Sequence, residues 1–120
     1  MQTGPEERHP LARILVATDR SATADAAVRW AAELANRYSS ELIVLQVAAP
    51  PADAAADKTL EEAKTARLDV GLQILAKEVA GSRGRGRVVV DVDPAQAILR
   101  VIDDEKVDAV VVGNVGMAGR

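Results

Sequence analysis

The 120-residue chain contains no cysteine and no phenylalanine, and its aromatic residues are one tryptophan and one tyrosine. Without cysteine, disulfide bonds and thiolate metal sites are excluded, and nothing in the composition indicates secretion. Because His9 is the single histidine, a transition-metal site or a histidine-based catalytic triad is unsupported. The core must therefore be aliphatic, and 48% of the residues are apolar.

Long apolar runs and an excess of basic residues are also missing. No stretch approaches the roughly 20 apolar residues that span a bilayer, and the start MQTGPEERHP lacks the apolar segment of a signal peptide. The formal net charge of -3 argues against general affinity for nucleic acids. The sequence predicts a soluble cytoplasmic protein with no membrane or nucleic-acid partner, made of a disordered leader (residues 1–11) and one domain (residues 12–120).

Apolar strand-like segments alternate with helical segments along the chain. ARILVATD, ELIVLQV, VVVDV and VDAVVVG are nearly continuous in apolar residues, which is typical of strands covered on both faces. Apolar residues at helical spacing predict helices after Ser21 or Thr23, over about residues 58–80, and after Asp93, where proline follows a capping carboxylate. The order β-α-β-α-β-α-β predicts an α/β fold: a doubly wound parallel sheet in three layers, α/β/α.

Other charged or aromatic features favour structural roles. GSRGRGR, which holds Arg83, Arg85 and Arg87, predicts a solvated turn, since it has no aromatic partners for stacking bases. The acidic segment DDEKVD predicts a solvated helix end. Asp93 is expected to cap a helix, and Trp30 is expected to pack against the fold.

Candidate ligand-binding residues follow the strands, because ligands of such sheets bind beyond the carboxyl ends of the strands where the strand order reverses. Asp19 follows the first strand, and its carboxylate could accept hydrogen bonds from a ligand or only help to cap the next helix. Gly113 and Gly116 follow the fourth strand and would let backbone N–H groups approach an anion. Their spacing matches neither the Walker loop nor the dinucleotide fingerprint.

With these segments the chain resembles the universal stress proteins from about Ala12 to Gly119. The resemblance rests on RILVATDRSATADAAVRWAAELA, ELIVLQV, PAQAILRVIDDEKVDAVVVG and the closing GNVG. It implies the family's Rossmann-like, adenine nucleotide α-hydrolase-like fold with a five-stranded parallel sheet. One branch of the family binds ATP through a loop of the form G-x2-G-x9-G-(S/T).

The resemblance implies an adenine-nucleotide site, with Asp19 as its key polar contact. It assigns the adenine and ribose contacts to the end of the first strand, at Ala17, Thr18 and Asp19. The backbone of Val47, at the end of the second strand, would contact the adenine edge. The glycine loop would contact the ribose and phosphates through Val112, Gly113, Asn114 and Gly116. Two departures stand out. Val115 replaces a frequent His or Arg, and the sequence ends four residues after Gly116. We therefore expect an incomplete domain without its last helix and strand, and weak nucleotide binding.

The expected function is that of a stress-response or signalling module that binds ATP, with or without Mg²⁺ and with no tightly bound metal. Hydrolysis would be slow at most, and the full-length parent is expected to be a homodimer. One alternative is a cyclic AMP site, which Val115 in place of a basic residue would suit. Another is a protein-interaction module without nucleotide, like the family's non-binding branch. An enzyme on a flavodoxin-like sheet ranks last, since fold analogy alone says little about function.

Overall fold

The computed structural model describes residues 11–53, 55 and 57–113. Most of the predicted leader, residues 1–10, and the predicted site residues Asn114 and Gly116 lie outside the described residues. The described residues form four strands, three α-helices and a short 3-10 turn: β1 (Arg13–Ala17), α1 (Ala22–Tyr38), β2 (Glu41–Ala48), α2 (Lys58–Ala80), the turn (Gly81–Arg83), β3 (Gly84–Val90), α3 (Pro94–Glu105) and β4 (Ala109–Val112). The predicted alternation of strands and helices is confirmed over this part of the chain.

The four strands form one parallel sheet in the order β3-β2-β1-β4. The chain moves from β1 through β2 to β3, then crosses back over the sheet to β4, so the strand order reverses beside β1. Ala17, the last residue of β1, pairs with Leu45 on β2 and with Val112 on β4. The carboxyl ends of β1 and β4 therefore meet at the switch point, where doubly wound sheets bind ligands.

Helices cover both faces of the sheet, as predicted. Alternate residues of the central strands point to opposite faces, which is the period of a strand. Ile14, Val16, Leu42 and Val44 pack with α1 and α2 in one core. Leu15, Ile43 and Leu45 pack with Val101 of α3 in the other. An aliphatic core on each face explains why β1 and β2 read as continuous apolar runs.

Strand β3 begins earlier than the sequence predicted, because the segment GRGR is part of the strand and not a solvated turn. A Cβ added to Gly84 would lie 2.2 Å from the carbonyl oxygen of Ala76, and one added to Gly86 would lie 2.6 Å from the Cβ of Leu72. Helix α2 thus packs directly on the β3 backbone, and only glycine leaves room for it.

Arg85 and Arg87, which alternate with these glycines along β3, point to the opposite face of the sheet and bind α3. Arg85 Nη2 lies 2.5 Å from Glu105 Oε1, and Arg87 Nη1 lies 2.8 Å from Glu105 Oε2. Hydrogen bonding from Arg85 first, then from Arg87, lowers the pKa of Glu105 to about 2. The expectation that Glu105 lies on a solvated face is therefore wrong: its side chain is 16% exposed and joins α3 to β3.

Trp30 also differs from expectation, since 58% of it is exposed on α1 rather than packed.

Leu11, at the end of the predicted leader, packs against the α1–α2 core, and its carbonyl oxygen accepts a hydrogen bond from the hydroxyl of Ser40. Over the stretch that the structure describes, none of the helices has the length and apolar character needed to cross a bilayer.

Candidate functional site

An open cleft of about 320 Å³ lies at the switch point between β1 and β4. Its volume is at the lower end of the range of roughly 300–1,000 Å³ found for small-molecule sites. The lining comes from the carboxyl ends of β1, β2 and β4 and from the first turns of α1 and α3: Ala17, Thr18, Asp19, Ser21, Thr23, Ala24, Val47, Pro94, Ile98 and Gly113. We call this the switch-point cleft.

The turn between β1 and α1 is ordered by the hydroxyl of Thr18. Thr18 Oγ1 accepts a hydrogen bond from Arg20 N at 2.9 Å and donates one to Asp25 Oδ1 at 3.1 Å. Arg20 has a left-handed φ of 67° and its Nε donates to the same Asp25 oxygen at 3.2 Å. Because its hydroxyl is used within the turn, buried Thr18 holds the neighbouring Asp19 in place rather than presenting a polar group to a ligand.

Asp19 is the only charged residue among the described residues that line the cleft. Its Oδ1 accepts a hydrogen bond from Ser21 N at 2.9 Å, and the hydroxyl and backbone N–H of Ser21 lower the pKa of the Asp19 carboxyl. The carboxyl is therefore ionised at neutral pH. The cap of α1 is Ser21, whose Oγ accepts from Ala24 N at 3.2 Å. Asp19 orders the turn before that cap and remains exposed at the mouth of the cleft.

The wall opposite Asp19 is apolar and includes Val47, Ile98 and Pro94. Asp93 caps α3 as predicted, because its Oδ1 accepts from the N–H groups of Ala95 and Gln96. Asp91 binds Arg100 at 2.6 Å and is not part of the cleft lining. The N–H of Asp93 and then Arg100 lower the pKa of the Asp91 carboxyl.

Gly113 closes the cleft on the β4 side, where it lies against the first turn of α1. A Cβ at this position would be 3.3 Å from Ala24 Cα and from the Thr23 carbonyl oxygen. A side chain would therefore have to displace helix backbone, and glycine allows the end of β4 to approach α1 closely. The free N–H groups of this helix start carry partial positive charge, which favours a nearby anion.

The cleft brings together five of the predicted site residues: Ala17, Thr18, Asp19, Val47 and Gly113. Val112 pairs with Ala17 through its backbone, but its side chain is exposed and does not line the cleft. The predicted set lacked the lining residues Ser21, Thr23, Ala24, Pro94 and Ile98. These residues could have been predicted from the serine cap after Asp19 and from the Asp-Pro start of α3, since both follow the ends of strands.

Metal binding has no support in the described ranges. They contain no group of three or more His, Cys, Asp or Glu side chains that could hold a metal ion. Any ligand of this cleft would be bound by one carboxylate, backbone N–H groups and an apolar wall.

The parallel order β3-β2-β1-β4 and the cleft beside the reversal point define a Rossmann-like α/β protein with an open cleft at its switch point. Within that class the chain belongs to the universal stress protein family, whose sequence model matches residues 11–120. The resemblance stated from the sequence is thereby confirmed.

Solved structures agree with this assignment. A protein of the family from Burkholderia pseudomallei is 26% identical with a TM-score of 0.74, and the match covers 92% of this chain and 87% of that one. The universal stress protein from Archaeoglobus fulgidus in complex with dAMP is 27% identical with a TM-score of 0.59, over 87% and 82% of the two chains. A universal stress protein in complex with cAMP has a TM-score of 0.72 at 23% identity, over 91% and 80%. No curated protein matches the chain.

Proposed function

We propose that this chain binds an adenine nucleotide in the switch-point cleft and acts as a stress-response or signalling module. The observation that carries the proposal is the placement of Asp19, a single ionised carboxylate held by Ser21 at the mouth of a small cleft with an apolar wall. A nucleoside has the matching chemistry, since its base is flat and largely apolar on its faces and its ribose carries hydroxyl donors.

Each part of the cleft has a role in this proposal. The base lies against Val47 and Ile98, and Asp19 accepts a hydrogen bond from a ribose hydroxyl or from the amino group of the base. Phosphate is received at the β4 side, where Gly113 meets the first turn of α1. The lining hydroxyl of Ser21 lies beside the Asp19 carboxylate but is held as the cap of α1, where it accepts from Ala24 N, so we propose binding with slow hydrolysis at most.

The charges favour a ligand with few phosphates. No Lys or Arg is among the described residues that line the cleft, and Asp19 would repel additional phosphate charge. The relative solved with dAMP also holds a monophosphate. AMP or cyclic AMP is therefore favoured over ATP, the ligand that the family resemblance implies, and any Mg²⁺ would arrive with ATP.

Calorimetric titration with Mg-ATP, AMP and cyclic AMP tests the proposal. We expect Asp19→Asn to weaken the preferred nucleotide roughly tenfold or more, since a hydrogen bond to a charged group is lost. Asp57→Asn is the matched control: Asp57 is an exposed aspartate that caps α2 by accepting from Thr59 N at 2.8 Å, and asparagine also caps helices. The proposal fails if neither the parent chain nor the control binds any of the three nucleotides, or if Asp19→Asn binds as they do.

A protein-interaction function is supported by a separate observation. Among the described strands, β4 pairs only with β1, and the side chains of Val110 and Val112 are 37% and 60% exposed. An unprotected edge with exposed apolar side chains promotes association. We therefore also propose a homodimer formed through the β4 edge, which is compatible with nucleotide binding in the cleft.

A further inference from the structure

A second and larger cavity lies on the other side of the sheet from α3, away from the switch-point cleft. It measures about 920 Å³ and shares no lining residue with that cleft. Its walls are the segment after β2, the first turns of α2 and the carboxyl end of β3, with Pro50, Thr65, Leu68, Asp69, Val88 and Val90 among the lining residues. We call it the α2 groove.

The face of α2 that packs against the sheet is apolar in the second half of the helix and polar toward its start. In its second half the residues facing the sheet are apolar and buried, among them Leu72, Leu75 and Ala76. The same stripe continues toward the helix start through Asp69, Thr65 and Glu61, which are half-buried and polar. At 23 residues α2 is roughly 34 Å long, against roughly 23 Å for the seven residues of β3, so its first turns extend beyond the sheet. Its polar inner residues therefore face the groove.

The groove combines an apolar floor with an excess of negative charge. Val88, Val90 and Leu68 provide aliphatic surface. From the part of the chain that the structure describes, four carboxylates and two ammonium groups line it: Asp53, Glu61, Glu62, Asp69; Lys58, Lys64. Lys64 is already paired with Glu61, at 3.2 Å. Asp69 is half-buried, and no side-chain hydrogen bond or ion pair reaches it from the part of the chain that the structure describes.

We propose that the α2 groove binds an aliphatic organic cation, with its ammonium group at Asp69 and its hydrocarbon part over Val88 and Val90. An anionic ligand is disfavoured because the lining has two more carboxylates than ammonium groups, so the groove is not a second nucleotide site. Among the described residues that line the groove, there is no aromatic ring to form a cage for a quaternary ammonium. A primary ammonium suits it better, since it donates up to three hydrogen bonds to carboxylate oxygens.

Titration of the isotope-labelled chain with hexylammonium, followed by amide NMR, tests the proposal. We expect saturable shifts confined to residues that line the α2 groove, and no comparable shifts with hexanoate, which has the same length and the opposite charge. Asp69→Asn should weaken hexylammonium roughly tenfold. Asp103→Asn, an exposed aspartate on α3 on the opposite face of the sheet, should leave the affinity unchanged.

A chain-length series keeps the test independent of any variant that fails to fold. From butylammonium to hexylammonium, each added methylene should tighten binding by about twofold to fourfold if the alkyl chain is buried on the valine floor. Equal shifts with hexanoate, shifts outside the groove, an affinity independent of chain length, or an Asp69→Asn variant that binds like the parent would each overturn the proposal.

Discussion

Glu105 occupies a position that helix electrostatics disfavours, the last turn of α3, where backbone carbonyl groups create partial negative charge. Two arginines from β3 compensate for this. Because Arg85 and Arg87 hydrogen-bond its carboxylate, the pKa of Glu105 falls from 4.5 to about 2. A group whose pKa is lower in the folded state stabilises the fold above its unfolded pKa. The contribution is therefore present above about pH 4.5 and is lost as the pH falls through about 2.

At residue scale we predict that Glu105→Gln destabilises the protein at neutral pH by roughly 1–3 kcal/mol, since two partly exposed guanidinium groups lose their shared anion. The difference from the parent should shrink as the pH falls from about 4.5 toward about 2, where Glu105 becomes protonated in both states. Urea unfolding measured across that range checks both the size and the direction.

Asp104→Asn is the control for this prediction, because Asp104 lies beside Glu105 but makes only a longer contact, 3.6 Å to Arg87. We expect a loss of a few tenths of a kcal/mol, as for exposed ion pairs. A Glu105→Gln effect that stayed constant down to about pH 2 would contradict the assignment of the stabilisation to the ionised carboxylate.

At the scale of elements, the contact between α2 and β3 depends on glycine. The Cβ of an alanine at position 86 would lie 2.6 Å from Leu72 Cβ and 2.8 Å from the Leu72 carbonyl carbon. Neither atom belongs to the flexible end of a side chain, so the helix would have to move away from the strand. Gly71 is different, since a Cβ there would meet only Arg20 Nη1, at an ordinary 3.8 Å.

The two glycines therefore predict opposite effects of the same substitution. Gly86→Ala should destabilise the protein by about 1–3 kcal/mol or more through overpacking. Gly71→Ala should stabilise it by up to about 1 kcal/mol, because alanine is the better helix former. Thermal and urea unfolding of both variants measure the signs. A neutral or stabilising Gly86→Ala would mean that α2 does not rest directly on the β3 backbone.

Helix α2 and the start of α3 could be predicted to the residue because the residues that determine them lie within or directly beside each helix. Leucines at helical spacing run up to the break at Gly81, and Asp93-Pro94 marks a cap and a first turn. The start of β3 could not be predicted in this way. Glycine and arginine are typical of turns, and only the approach of α2 from a distant part of the chain explains why GRGR is a strand.

The residues of the candidate site also fall into those that could be predicted from the sequence and those that could not. Asp19 and Gly113 could be predicted because each directly follows an apolar strand, and parallel strands end at one edge of the sheet. Pro94 and Ile98 were missed because α3 reaches the cleft only through the crossover from β3 to β4. Val112 ends β4 and shares the sheet face of its pair Ala17, but it is 60% exposed at the edge of the sheet and does not line the cleft.

At the scale of the whole molecule, the two edges of the sheet are built differently. The β3 edge carries Arg85 and Arg87 with their acidic partners, and charged side chains protect an edge from pairing with another chain. Along β4 the exposed residues are Val110 and Val112, without such charges. The proposed homodimer uses this edge, because two copies related by a twofold axis would each cover the other's valines.

We therefore predict that Val110→Lys shifts the chain from dimer to monomer in sedimentation equilibrium, since burying a lysine in the new strand pair leaves its charge without a partner. Val70→Lys is the matched control, because Val70 is 57% exposed on α2, away from β4, and its replacement should leave the dimer intact. Neither residue lines the switch-point cleft, so nucleotide binding by each variant reports separately on the fold. A parent chain that is monomeric at high concentration, or a Val110→Lys variant that dimerises like the parent, would rule out pairing through β4.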